Sequence, residues 1–298
     1  MVDLMPVNTT YEPFSREPEY VEANRGFVER QNLGHVGRFL DLACGAGTVS
    51  ELLLEKSPRA HLNGVDYDPV QVQLSCEHFN ALGFETRRGF ELTEDCVGGK
   101  PVLVFGEGSA TELPFPAETF DCVTIANAIH LIDDKPGLIA SVQRLLKPGG
   151  VFGFNTTFYS GSLPAGSEKM YMDWLQRAAA HIEGKNRELA AAGKPIVRRE
   201  RGTTRRAFAN RWFSVAEWTD LLAQHGLKAV DVYERRVELS ERAFTYVGAY
   251  GGLAQVLLSG FPVEVASEAL QAAAVPAMRA AGAKTAPRFY LEFWAQKA

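Results

Sequence analysis

The stretch FLDLACGAGTVS, Phe39 to Ser50, decides the fold of this 298-residue chain. Its apolar opening reads as a buried strand, its centre as a glycine-rich turn, and its end as the start of a helix. Asp41 sits where the strand ends. Gly45 and Gly47 let the backbone bend tightly and let a ligand approach, because neither carries a Cβ. A second carboxylate, Asp66, closes the next apolar run, LNGVDYDP. That spacing suits an acid that holds the two hydroxyls of a ribose.

Working outward, strands are expected at Arg38–Leu42, His61–Val65, Pro101–Phe105, Phe120–Ala126, Val151–Asn155 and Lys228–Arg236. A terminal strand, RFYLEFWAQKA, carries Phe289, Leu291 and Phe293 on one face and Tyr290 and Trp294 on the other. Between the strands lie helical signals. Asp68-Pro69 offers an N-cap and a proline in the first turn, with Val72, Cys76 and Phe79 behind it. Leu138, Val142 and Leu145 mark a helix stopped by KPGG. Ser214-Val-Ala-Glu217 is a capping box. Thr86 to Lys100 shows little pattern. This alternation implies an α/β fold with a Rossmann-like, mostly parallel sheet of seven strands.

The remaining segments break the rhythm. An amphipathic helix is expected near Glu17 to Leu33, with Tyr20, Ala23, Phe27 and Val28 inward. The domain plan is an N-terminal helical lid over 1–33, a cofactor-binding core over 34–157 and an inserted lid over 158–210. Core follows over 211–236, a helical insertion over 237–287 in which Pro276 should kink or divide the helix, and the terminal strand over 288–298.

Composition excludes several classes. No apolar run reaches the ~20 residues that cross a bilayer, and the first twenty residues lack the basic and apolar regions of a signal peptide. The four cysteines are scattered, so no metal site is expected and a cytoplasmic setting fits best. A net charge of -5 argues against general nucleic-acid binding. Yet Lys194 to Arg211 holds seven basic residues and one acid. It reads either as a solvated loop or as a site where Arg198, Arg199, Arg201, Arg205 or Arg206 takes an anionic group.

A nicotinamide-binding turn would want a third glycine, but Ser50 stands there. The pattern resembles instead the class I S-adenosylmethionine (SAM) dependent methyltransferases, in particular the small-molecule, UbiE-like group. Their D-x-G-x-G-x-G is similar to D-L-A-C-G-A-G here. GEGSATELPFPAETFD resembles their G-D-A-x-x-L-P-F-x-x-x-x-F-D, and LLKPGGVFGF their fifth-strand motif. The resemblance covers about two-thirds of the chain and implies SAM as cofactor and an antiparallel terminal strand. It assigns Asp41, Ala43, Gly45 and Gly47 to the methionine end, Asp66 to the ribose and Tyr67 to packing on the adenine. Ser109 and Ala110 fall at the adenine edge, and Asn127 faces the ammonium group through its backbone. Ser109 replaces the family's aspartate and is a weaker acceptor.

The acceptor is less legible. His130, just past the fourth strand, reads equally as a general base and as a packing histidine. Tyr159 is the expected acceptor contact among the aromatics Phe152, Phe154, Phe158, Tyr171, Trp174, Phe208, Trp212 and Phe213. The expected reaction is direct SN2 transfer of a methyl group to a small, partly apolar molecule, an anionic one if the arginines bind it. A SAM-binding cyclase or other non-methylating relative, and an NAD(P)-dependent oxidoreductase, are the alternatives.

Overall fold

A computed structural model describes residues 10–200 and 212–298. Arg201, Arg205, Arg206 and Phe208 lie outside the described residues. The main sheet has eight strands: β1 (Arg38–Leu42), β2 (His61–Asp66), β3 (Thr86–Arg88), β4 (Leu103–Glu107), β5 (Phe120–Ala126), β6 (Leu146–Thr156), β7 (Leu227–Leu239) and β8 (Ala286–Lys297). Their order is β3-β4-β2-β1-β5-β6-β8-β7. Neighbouring pairs from β3 to β6 are parallel, and β8 runs antiparallel to β6. The sheet thus has the expected mixed, mostly parallel character with one strand more than expected. The extra strand, β3, is three residues long and only partly buried. TRR has no apolar face to betray it, so its place comes from pairing with β4 alone. A two-stranded hairpin, Cys96–Val97 with Lys100–Pro101, takes the start of the expected third strand.

Ten helices complete the described residues: α1 (Glu12–Ser15), α2 (Pro18–Glu29), α3 (Thr48–Lys56), α4 (Pro69–Ala81), α5 (Lys135–Leu145), α6 (Glu168–Ala191), α7 (Val215–Gln224), α8 (Glu241–Ala249), α9 (Gly251–Leu257) and α10 (Val263–Ala280). Helix α4 forms where its cap predicts. Asp68 Oδ1 accepts from the Val70 N–H at 2.9 Å. Val72, Cys76 and Phe79 are buried while Val70 stays exposed. The capping box of Ser214 and Glu217 is complete in both directions. KPGG ends α5 but lies within β6, whose pairing with β5 shifts register there. Pro276 does not divide its helix: α10 runs through it. Ala273 and Ala274 lie just before it, ahead of Val275, and Ala277 follows it; their high helix propensity helps the helix tolerate one missing N–H.

The chain forms two compact units. The sheet unit comprises 21–162, 212–235 and 290–298. Its core joins α2, α3, α4 and the strands through Phe27, Phe39, Leu53, Phe79, Phe105 and Trp294. Trp294 stacks on Phe27 at 4.8 Å, and its indole donates to the Phe27 carbonyl. Gly153 makes room for that indole, since a Cβ there would meet the ring at 2.5 Å. The described part of the second unit comprises 10–20, 163–200 and 236–289. It is a helical cluster in which Trp174 donates to the Leu270 carbonyl at 2.7 Å and packs on Phe244 at 4.5 Å. Residues of the expected N-terminal segment fall in both units.

Candidate active site

Three left-handed residues shape the turn after β1: Ala43 at φ +50°, Gly45 at +55° and Gly47 at +90°. Alanine therefore keeps the backbone of the first glycine position, where an L side chain costs about 1–2 kcal/mol. Gly47 is required for space as well, because a Cβ would come within 2.8 Å of the Phe79 ring. Gly45 differs: a Cβ there would find only Gln71 Oε1 at 3.8 Å, so that side of the turn is clear for a ligand.

Asp41 is buried at the end of β1. Its carboxylate accepts from Ser50 Oγ at 2.7 Å and from Thr124 Oγ1 at 2.8 Å. Ser50, at the position where a dinucleotide turn wants glycine, thus has a use: its hydroxyl ties α3 to the strand end. Burial pushes the Asp41 carboxyl up to about 6, against the two hydroxyls that hold it down. Asp41 therefore shapes the turn from beneath.

Asp66, at the end of β2, is pinned from both sides. The Gly45 N–H donates to Oδ2 at 2.9 Å and the Asp68 N–H to Oδ1 at 3.0 Å. Each oxygen keeps a further lone pair, so the carboxylate can still accept two hydroxyls. Burial raises its pKa too, in opposition to these N–H groups. Tyr67 beside it is 83% exposed, a bare ring at the edge of the site. Glu107 of β4 is the register partner of Asp66, which brings Ser109 and Ala110 beside them. The Ser109 and Thr111 hydroxyls share a hydrogen bond at 2.9 Å.

On the other side of the turn, Asn127 follows β5 at φ +53°. Its N–H donates to Asn155 Oδ1 at 2.8 Å, and its Nδ2 donates to Asn24 Oδ1 at 3.2 Å. Asn155 Nδ2 donates to the same Asn24 oxygen at 2.8 Å. Asn24 and Asn155 are wholly buried. The sequence reading passed over both. Asn24 had a signal, however: it occupies the inward stripe of α2 between Tyr20 and Val28, where an apolar residue is the rule.

The expected acceptor residues are more enclosed. His130, on a short 3₁₀ turn, is buried, with Nδ1 3.2 Å from Thr156 Oγ1 and its ring 4.1 Å from that of Phe158. Tyr159 is 1% exposed, and its hydroxyl donates to Glu234 Oε1 of β7 at 2.6 Å. The structure thus commits the Tyr159 hydroxyl to an internal carboxylate. Trp212, at 41% exposed, packs edge-on to Phe158 and is the open member of this aromatic group. Lys135 was not anticipated: it is buried, donates to the Ile132 carbonyl at 2.9 Å, and burial lowers its pKa. Arg198 and Arg199 are both exposed, and Arg199 donates to the Ser259 carbonyl at 2.7 Å.

A clear turn, an exposed aromatic, a pinned carboxylate with spare lone pairs and a polar amide cluster fit a nucleoside joined to an amino acid. Residues 40–154, the parallel core of this chain, match the methyltransferase domain family. Among individual relatives, a demethylmenaquinone methyltransferase of Thermus thermophilus is 33% identical over 113 residues, 38% of this chain and 44% of that protein. The erythromycin 3''-O-methyltransferase of Saccharopolyspora erythraea is 34% identical over 125 residues, 42% of this chain and 36% of that one. The chain therefore spans less than half the length of both relatives. Among solved structures, the [4+2]-cyclase SpnF shares the fold, with TM-score 0.53 at 15% identity over 93% of this chain and 81% of that one. Among the described residues no group of three metal-binding side chains occurs, and no helix is long and apolar enough to cross a membrane.

Proposed function

We propose that the protein is a SAM-dependent methyltransferase acting on a small molecule. The observation that carries this reading is the pairing of Gly45 with Asp66. The turn that must stay open to a ligand also holds, through its own N–H, the carboxylate suited to a ribose. When bound, SAM supplies an electrophilic methyl group on a sulfonium. The residues of this chain align and shield it. Asp66 accepts hydroxyls, Tyr67 covers an aromatic base, Ser109 and Ala110 border its edge, and Ala43 to Gly47 leave room for the sulfur end. Asp41 keeps that turn in shape. Such transfer calls for alignment and exclusion of water and for no covalent enzyme intermediate.

The acceptor we infer is partly apolar, in keeping with the aromatic group of Phe158 and Trp212. His130 is the base where the nucleophile must lose a proton, and Tyr159 lies in the same aromatic region. Arg198 and Arg199 are the described arginines of the basic run, suited to an anionic group on the acceptor. Replacing both by glutamine should raise the acceptor KM about tenfold, as loss of a charged hydrogen bond does, and leave the KM for SAM unchanged.

A cyclase reading stands second, on the fold shared with SpnF and on the enclosure of His130 and Tyr159. Calorimetry with S-adenosylhomocysteine and with NAD tests the donor: binding of NAD alone would overturn the proposal. Incubation with SAM and a metabolite extract, followed by mass spectrometry, tests the reaction. Appearance of S-adenosylhomocysteine with an acceptor heavier by one methylene supports transfer. Donor binding without either product favours the cyclase reading.

A further inference from the structure

The three asparagines raise a question that the donor site alone does not answer. Asn24 belongs to a helix outside the strand-turn-helix motifs, yet its side-chain oxygen receives both Asn127 and Asn155. Asn127 itself stands in a left-handed conformation that asparagine tolerates better than most side chains, at a cost without glycine's freedom. What holds it there is mutual. Its N–H is fixed by Asn155, and its amide is fixed by Asn24.

The cluster is also incomplete. Asn127 Oδ1 is buried and has no hydrogen-bond partner among the described residues. A buried acceptor left without a donor is costly, about 1–3 kcal/mol. Such a group in an otherwise paired network suggests a missing donor. Register indicates which donor. Ile125 of β5 pairs with Leu42 of β1, so Asn127 lies beside the first residues of the turn. Asp66 lies beyond the opposite side of β1, on β2. A ligand whose ribose sits at Asp66 and whose chain crosses the turn brings its amino-acid end toward Asn127.

We propose that Asn24 is a positioning residue for the donor. It aims the Asn127 amide and main chain so that they receive the amino group at the methionine end. This rests on the reading of the turn as a SAM site. It makes α2 part of the donor-binding machinery through one buried side chain, with no contact of its own to the ligand.

The test compares two ligands by calorimetry. S-adenosylhomocysteine carries the amino-acid end, and 5'-methylthioadenosine lacks it. In Asn24→Leu, affinity for S-adenosylhomocysteine should fall about tenfold while affinity for methylthioadenosine stays within twofold. Asn24→Asp keeps an acceptor oxygen for both amides and should recover most of the loss. Asn127→Gly suits the left-handed backbone and should fold, yet it removes the amide and should show the same selective loss. Equal weakening of both ligands, or a fall in melting temperature with the affinity ratio unchanged, would reduce Asn24 to a structural residue and overturn the proposal. A wild-type protein that binds neither ligand overturns the donor reading itself, an outcome distinct from a wild type that binds both and variants that do not discriminate.

Discussion

The sheet unit and the helical unit are built by different rules. In the sheet unit, space is set by single glycines beside single rings: Gly47 beside Phe79, Gly64 beside Phe105, Gly153 beside Trp294. Polar side chains are buried there in fixed pairs, such as Asp41 with Ser50 and Thr124. The helical unit packs α10 through Ala266, Ala269, Ala273, Ala274 and Ala277, a stripe of interchangeable small residues. Its specific contacts among the described residues join side chains mostly to main-chain carbonyls, such as Trp174 on the Leu270 carbonyl and Ser267 on the Ala249 carbonyl. A region that must hold a ligand's atoms in place fixes backbone angles and lone pairs. A region that must only bury area needs the right volume on the right face.

If that contrast is sound, damage to each region should have a different signature. The largest stability loss is expected from Trp174→Ala, about 3–5 kcal/mol by urea denaturation, with the S-adenosylhomocysteine affinity of the folded protein unchanged. A parallel loss of affinity would break the contrast. Gly47→Ala comes next. A left-handed alanine costs about 1–2 kcal/mol and crowding of Phe79 about 1–3 more. Here affinity should fall together with stability, and calorimetry on the refolded variant reads it.

Asp41 sharpens the point through pH. Its carboxyl holds a proton up to about 6 in the native state but loses it near 3.8 in the unfolded chain. Between those values the native state binds more protons, so stability from this group is fullest below 3.8 and is lost as pH rises through 6. Two pH units correspond to about 3 kcal/mol. Asp41→Asn should therefore gain stability over the wild type on going from pH 4 to pH 7, by up to that amount. A stability difference independent of pH would count against the buried carboxylate. The smallest stability change is expected at Asp66, which is partly exposed. Asp66→Asn should leave the melting temperature within a degree or two and weaken S-adenosylhomocysteine about tenfold, as loss of charged hydrogen bonds does.

Much of the sheet unit was legible because its constraints are local. A strand, a turn with glycine at fixed offsets and an acid at the next strand end lie within thirty residues, and the Asp68 cap and the Ser214 capping box declare their own helices. β3 was illegible for a physical reason: three polar residues at a sheet edge carry no periodicity. Pro276 was expected to kink or divide its helix, and the helix is not divided, because proline's cost can be offset by the good helix formers around it. Tyr159 could be placed after β6 from sequence. Only the long β7 supplied Glu234, and with it the reason this tyrosine is enclosed.

The sequence by itself determined the turn, the two acids that flank it, the donor they suit and the parallel core, because each depends on neighbours in the chain. Tertiary structure alone decided which polar groups are buried together. Ser50 and Thr124 meet on Asp41, and Asn24 joins Asn127 from more than a hundred residues away. Hydrogen bonds between distant segments leave no spacing in a sequence. They arise only when burial denies those groups water and obliges them to find one another.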